Sequence, residues 1–250
     1  MAWVESHSLS FSARHESSQR TEAARVLAAL EDFRLRVEGL FERTPGEIAV
    51  ILHARSAALT LAHPWLPLAR RMSAPAGRRY FAGWFTETEI HVLSPPALDA
   101  RASKVEGSRE ALSLSPQHEY AHLVIGANSP DLPPPFSYAA FRRYVRWAWL
   151  CEGAATWLSG QTPHLRPAIV RRLREGGRPE FPPAPADAML LGGTIFDLLE
   201  REAGTRAAAE LAVRPLERDP RSLLVDAFGR RLPGVERDWR AGLDSLSAAA

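Results

Sequence analysis

The sequence predicts an α+β protein: an N-terminal mixed sheet with one long helix packed on it, followed by a mostly helical lobe. Three observations carry this. Short apolar runs of strand length lie at 48–52, 81–85 and 89–93. One long stretch before them repeats its apolar residues at helical spacing, and from Ser115 onward the helical period dominates. The division expected is a sheet lobe over 1–110 and a helical lobe over 111–250, packed as one compact unit. A chain of this length hides roughly three quarters of its extended surface, so its core needs no disulfides.

Taken in order, Leu9 and Phe11 alternate with serines, which suits a half-buried strand. Ser17 and Ser18 can cap the helix that follows, whose stripe is Val26, Leu30, Phe33, Val37, Leu40 and Phe41 and whose end falls near Pro45 and Gly46. The β-branched run at 48–52 and the runs at 81–85 and 89–93 are strands. Between them, 63–79 is rich in Pro and Arg and reads as loop with room for one short helix. Pro95-Pro96 and Gly107-Ser108 mark an irregular approach to two helices, 116–125 and 141–158, joined by the turn-forming connector GANSPDLPPPFS. A second Pro-rich break at 179–185 precedes helices at 190–203, 207–211, 220–228 and 235–246. No internal repeat or heptad run is present.

Composition narrows the function classes. Lys and Arg total 31 against 29 Asp and Glu, and the basic pairs are scattered, so no field points to a nucleic-acid partner. No apolar segment approaches the roughly 18 to 20 residues that span a bilayer. The N-terminus lacks the pattern of a signal peptide, so a cytoplasmic location is expected. Cys151 is the only cysteine, which rules out an internal disulfide.

His118-Glu119-Tyr120-Ala121-His122 is HExxH within a helical stretch, and the i, i+4 spacing places both imidazoles on one face. Two such ligands can meet one zinc ion at about 2.0 to 2.1 Å. Glu119 stands beside them, free to act as a general base on a water instead of binding the ion. With 8 His in the chain, about 0.02 such matches arise by chance, so a third ligand must decide. Glu152, in Trp149-Leu150-Cys151-Glu152-Gly153-Ala154-Ala155, sits on a helix that the connector allows to fold back on the first. It would complete a His₂Glu site holding one Zn2+ per chain with a fourth position open, and the small residues after it would let the two helices approach closely.

HEYAH followed by WLCEGAA resembles the gluzincin metallopeptidases, especially the peptidase MA-like group with HExxH and a later W-L-x-E-G-x-A. The match is specific over 117–160 and looser elsewhere. The resemblance implies a zincin-like fold and zinc-dependent cleavage of a peptide or protein substrate. His118, His122 and Glu152 would be the metal ligands and Glu119 the base. It also implies a strand laid along the substrate backbone, with 82–85 and 89–93 as candidates. One departure stands out: the family's oxyanion-stabilising tyrosine has no counterpart in Ala188-Met189-Leu190-Leu191-Gly192. Tyr138, Tyr144 and His164 are the donors that could replace it.

Blander roles fit the other residues. Cys151 is turned about 100° from Glu152 on the helix and reads as a small buried hydrophobe. Trp147, Trp149 and Trp157 read as core packing, Thr156 as an ordinary helix-face residue, and Ser108 and Ser159 lack a triad context. His7, His15, His53, His63, His91 and His164 share no paired spacing and read as structural or surface residues. Two competing functions remain: a zinc-binding protein without turnover, which the missing tyrosine motivates, and a domain in which the motif is incidental.

Overall fold

A computed structural model describes residues 2–63, 65–129, 131–132, 137–216 and 219–248. Its five strands are β1 (Trp3–His7), β2 (Phe11–Glu16), β3 (Ile48–His53), β4 (Gly83–Phe85) and β5 (Glu89–Leu93). They form one mixed sheet in the order β1-β2-β3-β5-β4, with β2, β3 and β5 parallel and the outer strands antiparallel to their neighbours. The architecture is α+β, as predicted. The strand expected around Leu9 begins later, at Phe11, and Leu9 lies 94% exposed in the hairpin turn. Glu31 of the long helix α1 (Arg20–Glu38) secures that turn, accepting from Ser8 Oγ and Ser10 N, each at 2.6 Å. β1 carries no buried residue, so its sequence has no apolar alternation to reveal it.

Helix α1 stops at Gly39, and Leu40 and Phe41 occupy the turn beyond it. Helix α2 (Ser56–Ala62) follows β3, and the segment 63–79 holds α3 (Trp65–Met72), the short helix for which it had room. Pro95 and Pro96 begin helix α4 (Pro95–Arg101), since proline suits a first turn whose N–H groups have no intrahelical acceptor. Two further helices, α5 (Ser108–Ser113) and α6 (Ser115–Asn128), follow. Much of the proline-rich connector lies outside the described residues. The single helix expected over 141–158 is broken at Trp147 (φ −108°, ψ 18°) into α7 (Tyr138–Arg146) and α8 (Ala148–Leu158). A helix that the sequence did not show, α9 (Thr162–Arg174), tolerates Pro167 because the carbonyl left unpaired, that of Pro163, belongs to an exposed residue. Helices α10 (Ala188–Ala203), α11 (Thr205–Ala212), α12 (Pro220–Phe228) and α13 (Leu232–Ala248) complete the chain.

One continuous set of buried side chains runs from the sheet through these helices. Strand side chains alternate between faces, and Phe11, Ala13, Val50, Ile90 and Phe85 share the face that meets α1 and α6. Phe11 and Phe33 both pack edge-on against Tyr120 of α6, whose hydroxyl donates to Pro45 O at 2.6 Å. The motif helix is thereby pinned between sheet and bundle. Its partner α8 packs most extensively on α10. There a Cβ on Gly153 would stand 2.5 Å from the backbone of Gly192. Gly153 therefore serves contact with α10, and α8 also contacts the motif helix.

Candidate metal centre

His118 and His122 lie one turn apart on α6 with their Nε2 atoms 3.2 Å from each other. Glu152 reaches between them from α8, its Oε2 at 3.4 Å from His118 Nε2 and its Oε1 at 3.7 Å from His122 Nε2. All three side chains are buried, and one ligand atom from each falls within 4.8 Å of the others. Glu152 Oε2 has no hydrogen-bond partner. An orphaned carboxylate oxygen in the interior is costly, and a cation in the gap between the three side chains would satisfy it. The group could hold a metal ion.

Neighbours outside the motif orient these ligands. Gln161 Nε2 donates to Ala111 O at 2.6 Å, which turns its Oε1 to accept from His118 Nδ1 at 2.8 Å. The proton of a neutral His118 is thus held on Nδ1 and the Nε2 lone pair faces the gap. Phe85 of β4 stacks flat on His122 at 4.5 Å and 13°. Neither Gln161 nor Phe85 was identifiable from spacing, since each arrives from a different element.

Electrostatics in the cluster follow from burial and proximity. Burial works against a charge on His118, but the Glu152 carboxylate beside it prevails and raises the imidazole's pKa. His122, buried next to His118, is held well below the ordinary range. Glu119 is also buried, which pushes its carboxyl up to about 8; His118 pulls it down and Glu152 pushes it further up. A divalent cation among the ligands would favour the ionised form. Gly83 of β4 lies against this carboxylate, and a Cβ there would stand 2.5 Å from Glu119 Oε1. A side chain at position 83 would displace Glu119.

Of the three donors considered for the missing tyrosine, only Tyr144 reaches the centre, where its hydroxyl donates to Glu152 Oε1 in a very short bond. Eight residues of unbroken helix would separate the two Cα atoms by about 12 Å along the axis, and the break at Trp147 brings them together. Tyr138 is 71% exposed, and His164 sits on α9, its backbone against Gly107. Strand β5 is paired on both sides, which removes it as a bed for substrate, whereas among the described residues β4 has a free edge. Tyr80, Gly83, Phe85, Tyr144 and Met189 surround the ligands and Glu119 around a cavity of about 20 Å³, room for a single water. A larger cleft of about 860 Å³, lined by Arg166, Arg171 and Arg174, lies away from the ligands. Trp147, Trp149, Trp157 and Cys151 are buried as expected, and Thr156, read as an ordinary helix-face residue, is fully buried as well.

The chain matches no protein-family model, no curated protein and no solved structure. What defines the centre is its own geometry. Among the remaining histidines, His53, His63 and His91 come together on the sheet face opposite α6, with His53 and His63 buried.

Proposed function

We propose that the chain is a zinc-dependent metallopeptidase of the gluzincin type, with a zincin-like arrangement of sheet, motif helix and Glu-bearing helix. The observation that carries this is the buried convergence of His118, His122 and the orphaned Glu152 Oε2, with Glu119 beside them in HExxH order. Two imidazoles and one carboxylate suit zinc, leaving a coordination position free. When bound, zinc acidifies a water and polarises a carbonyl oxygen.

The chain's own residues do the rest. Glu119 takes a proton from the attacking water and passes it to the departing amine, a role open to a carboxylate that a cation among the ligands would keep ionised. Tyr144 turns its hydroxyl from Glu152 to the oxyanion and so replaces the tyrosine that the family carries elsewhere. The free edge of β4 pairs with an extended substrate backbone, holding the scissile carbonyl over the ligands.

A second reading is a zinc protein without turnover, favoured by the small cavity and by the bond that engages Tyr144 with Glu152. Glu119→Gln separates the two. For a peptidase, the variant keeps its zinc and fold while cleavage of a broad peptide library falls by orders of magnitude. Unchanged cleavage refutes Glu119 as base, and a wild type that binds zinc but cleaves nothing supports the second reading.

A further inference from the structure

Behind the edge strand, on the face turned away from α6, three histidines from three segments form a cluster. Register places Trp84, His91 and Ile51 in line across β4, β5 and β3, and His53 lies two residues beyond Ile51 on the same face. His63 closes the group from the C-terminal end of α2, its ring 4.1 Å from that of His91 and stacked 6.1 Å from Trp84. His53 Nε2 and His91 Nδ1 face each other at 3.1 Å, a separation like that between the two Nε2 atoms of the first centre.

The hydrogen bonds determine where the protons sit. Glu89 Oε2, an acceptor only, takes the proton of His91 Nε2 at 3.2 Å, so the Nδ1 of a neutral His91 carries a lone pair. A carboxylate behind an imidazole is the support that metal-ligating histidines commonly have. His63 is 8% exposed and its Nε2 has no partner, a cost that calls for a ligand. Burial holds His53 and His63 down to about 4 and lowers His91 as well, so the imidazoles are neutral at pH 7 and available as donors.

The geometry points to a second metal site, formed by His53 Nε2, His63 Nε2 and His91 Nδ1 and taking a borderline divalent ion such as Zn2+. Three neutral imidazoles suit such an ion. Binding asks His53 to shift its proton from Nε2 to Nδ1, with no net charge change. It also asks the His63 ring to turn inward, because among the described residues only the first centre has all its ligand atoms within 4.8 Å. That rearrangement makes the second site the weaker one, filled when metal is added to protein that already carries its first ion. Occupied, it ties the end of α2 to β3 and β5 directly behind Gly83 and Phe85, stiffening the strand that bears on Glu119 and His122.

The test is zinc stoichiometry on the full chain, stripped with chelator, titrated with Zn2+ and freed of excess ion. Wild type is expected to hold two equivalents, His63→Ala one, and His118→Ala one. A wild type that holds one equivalent, lost in His118→Ala, overturns the second site, as does a folded His63→Ala that still holds two. If His118→Ala holds two and His63→Ala one, the second site stands and the first reading fails. A companion measurement does not depend on His63→Ala folding. In His118→Ala, the imidazole ¹⁵N signals of His53, His63 and His91 should shift on addition of Zn2+, and unmoved signals overturn the site.

Discussion

Replacing Gly153 with alanine tests whether the α8–α10 contact positions Glu152. The added Cβ would stand 2.5 Å from Gly192 C and 2.8 Å from its Cα and O, all backbone atoms that cannot rotate away. Ordinary carbon contacts are about 3.5 to 4 Å, so the helices must separate by about 1 Å. Alanine gains up to about 1 kcal/mol in helix propensity, against about 1 to 3 kcal/mol for overpacking, and with backbone as the obstacle the upper part of that range applies. The net expectation is a loss of about 1 to 2 kcal/mol, a fall in Tm of about 2 to 8 °C. Because Glu152 is the preceding residue, and metal ligands tolerate displacements of only about 0.5 Å, zinc affinity should drop about tenfold or more. Gly242→Ala is the matched control: it lies in helix α13 with nothing within 4 Å of its added Cβ, and should be neutral or stabilising. Differential scanning calorimetry and a competitive chelator titration measure both effects. A Gly153→Ala protein that gains stability like the control and binds zinc as wild type does would refute the reasoning.

Glu152→Ala should weaken zinc binding by orders of magnitude, whereas Cys151→Ser should leave it nearly unchanged, because burial pushes that thiol up to about 12; equal losses in metal analysis would mean the third ligand is misassigned. Arg172 and Asp187 form a two-pronged ion pair, at 2.6 and 2.9 Å, with Asp187 buried. Arg172→Ala strands that carboxylate and should cost about 3 to 5 kcal/mol in a denaturant titration, with a loss under 1 kcal/mol counting against it. Burial raises the Asp197 carboxyl to about 6 despite Arg166 and Arg201, so the folded state binds the extra proton and stability falls as pH rises from about 4 through 6. Asp197 is partly exposed, so water screens the effect, and Asp197→Asn should gain on the order of 1 to 2 kcal/mol above pH 6 and nothing below pH 4. A gain that does not change with pH would contradict the assignment.

The sequence was most legible where one element carries the whole signal. Helix α1 announces itself because its apolar residues repeat with the helical period, and strands β3 and β5 because each is a short apolar run of strand length. His118 and His122 do so because four residues make one helical turn, and both ligand nitrogens then meet at one point. Glu152 needed a second helix to fold back, yet the connector and the neighbouring small residues gave a physical reason to choose it. Strand β1 was illegible for the opposite reason, since it holds its place through backbone pairing with β2 and buries none of its side chains. Helix α9 was masked by Pro163 and Pro167, whose penalties vanish in a first turn and where a freed carbonyl belongs to an exposed residue.

What spacing along one element does not reveal is contact across elements, and the supporting parts of the centre are all of that kind. Gln161 reaches His118 from the turn after α8, Phe85 covers His122 from the sheet, and Gly83 is small because Glu119 lies against it. Tyr144 depends on a further local event: the helix must break at Trp147 before the hydroxyl can meet Glu152. The stretch from 141 to 158 reads as continuous helix because Trp147 is itself apolar and buried, so hydrophobic periodicity carries no mark of the break. The three histidines behind β4 follow the same logic. Their sequence separations match no single element's period: the pairing of β3 with β5 brings His53 and His91 to one face, and the end of α2 adds His63, whose buried Nε2 has no partner.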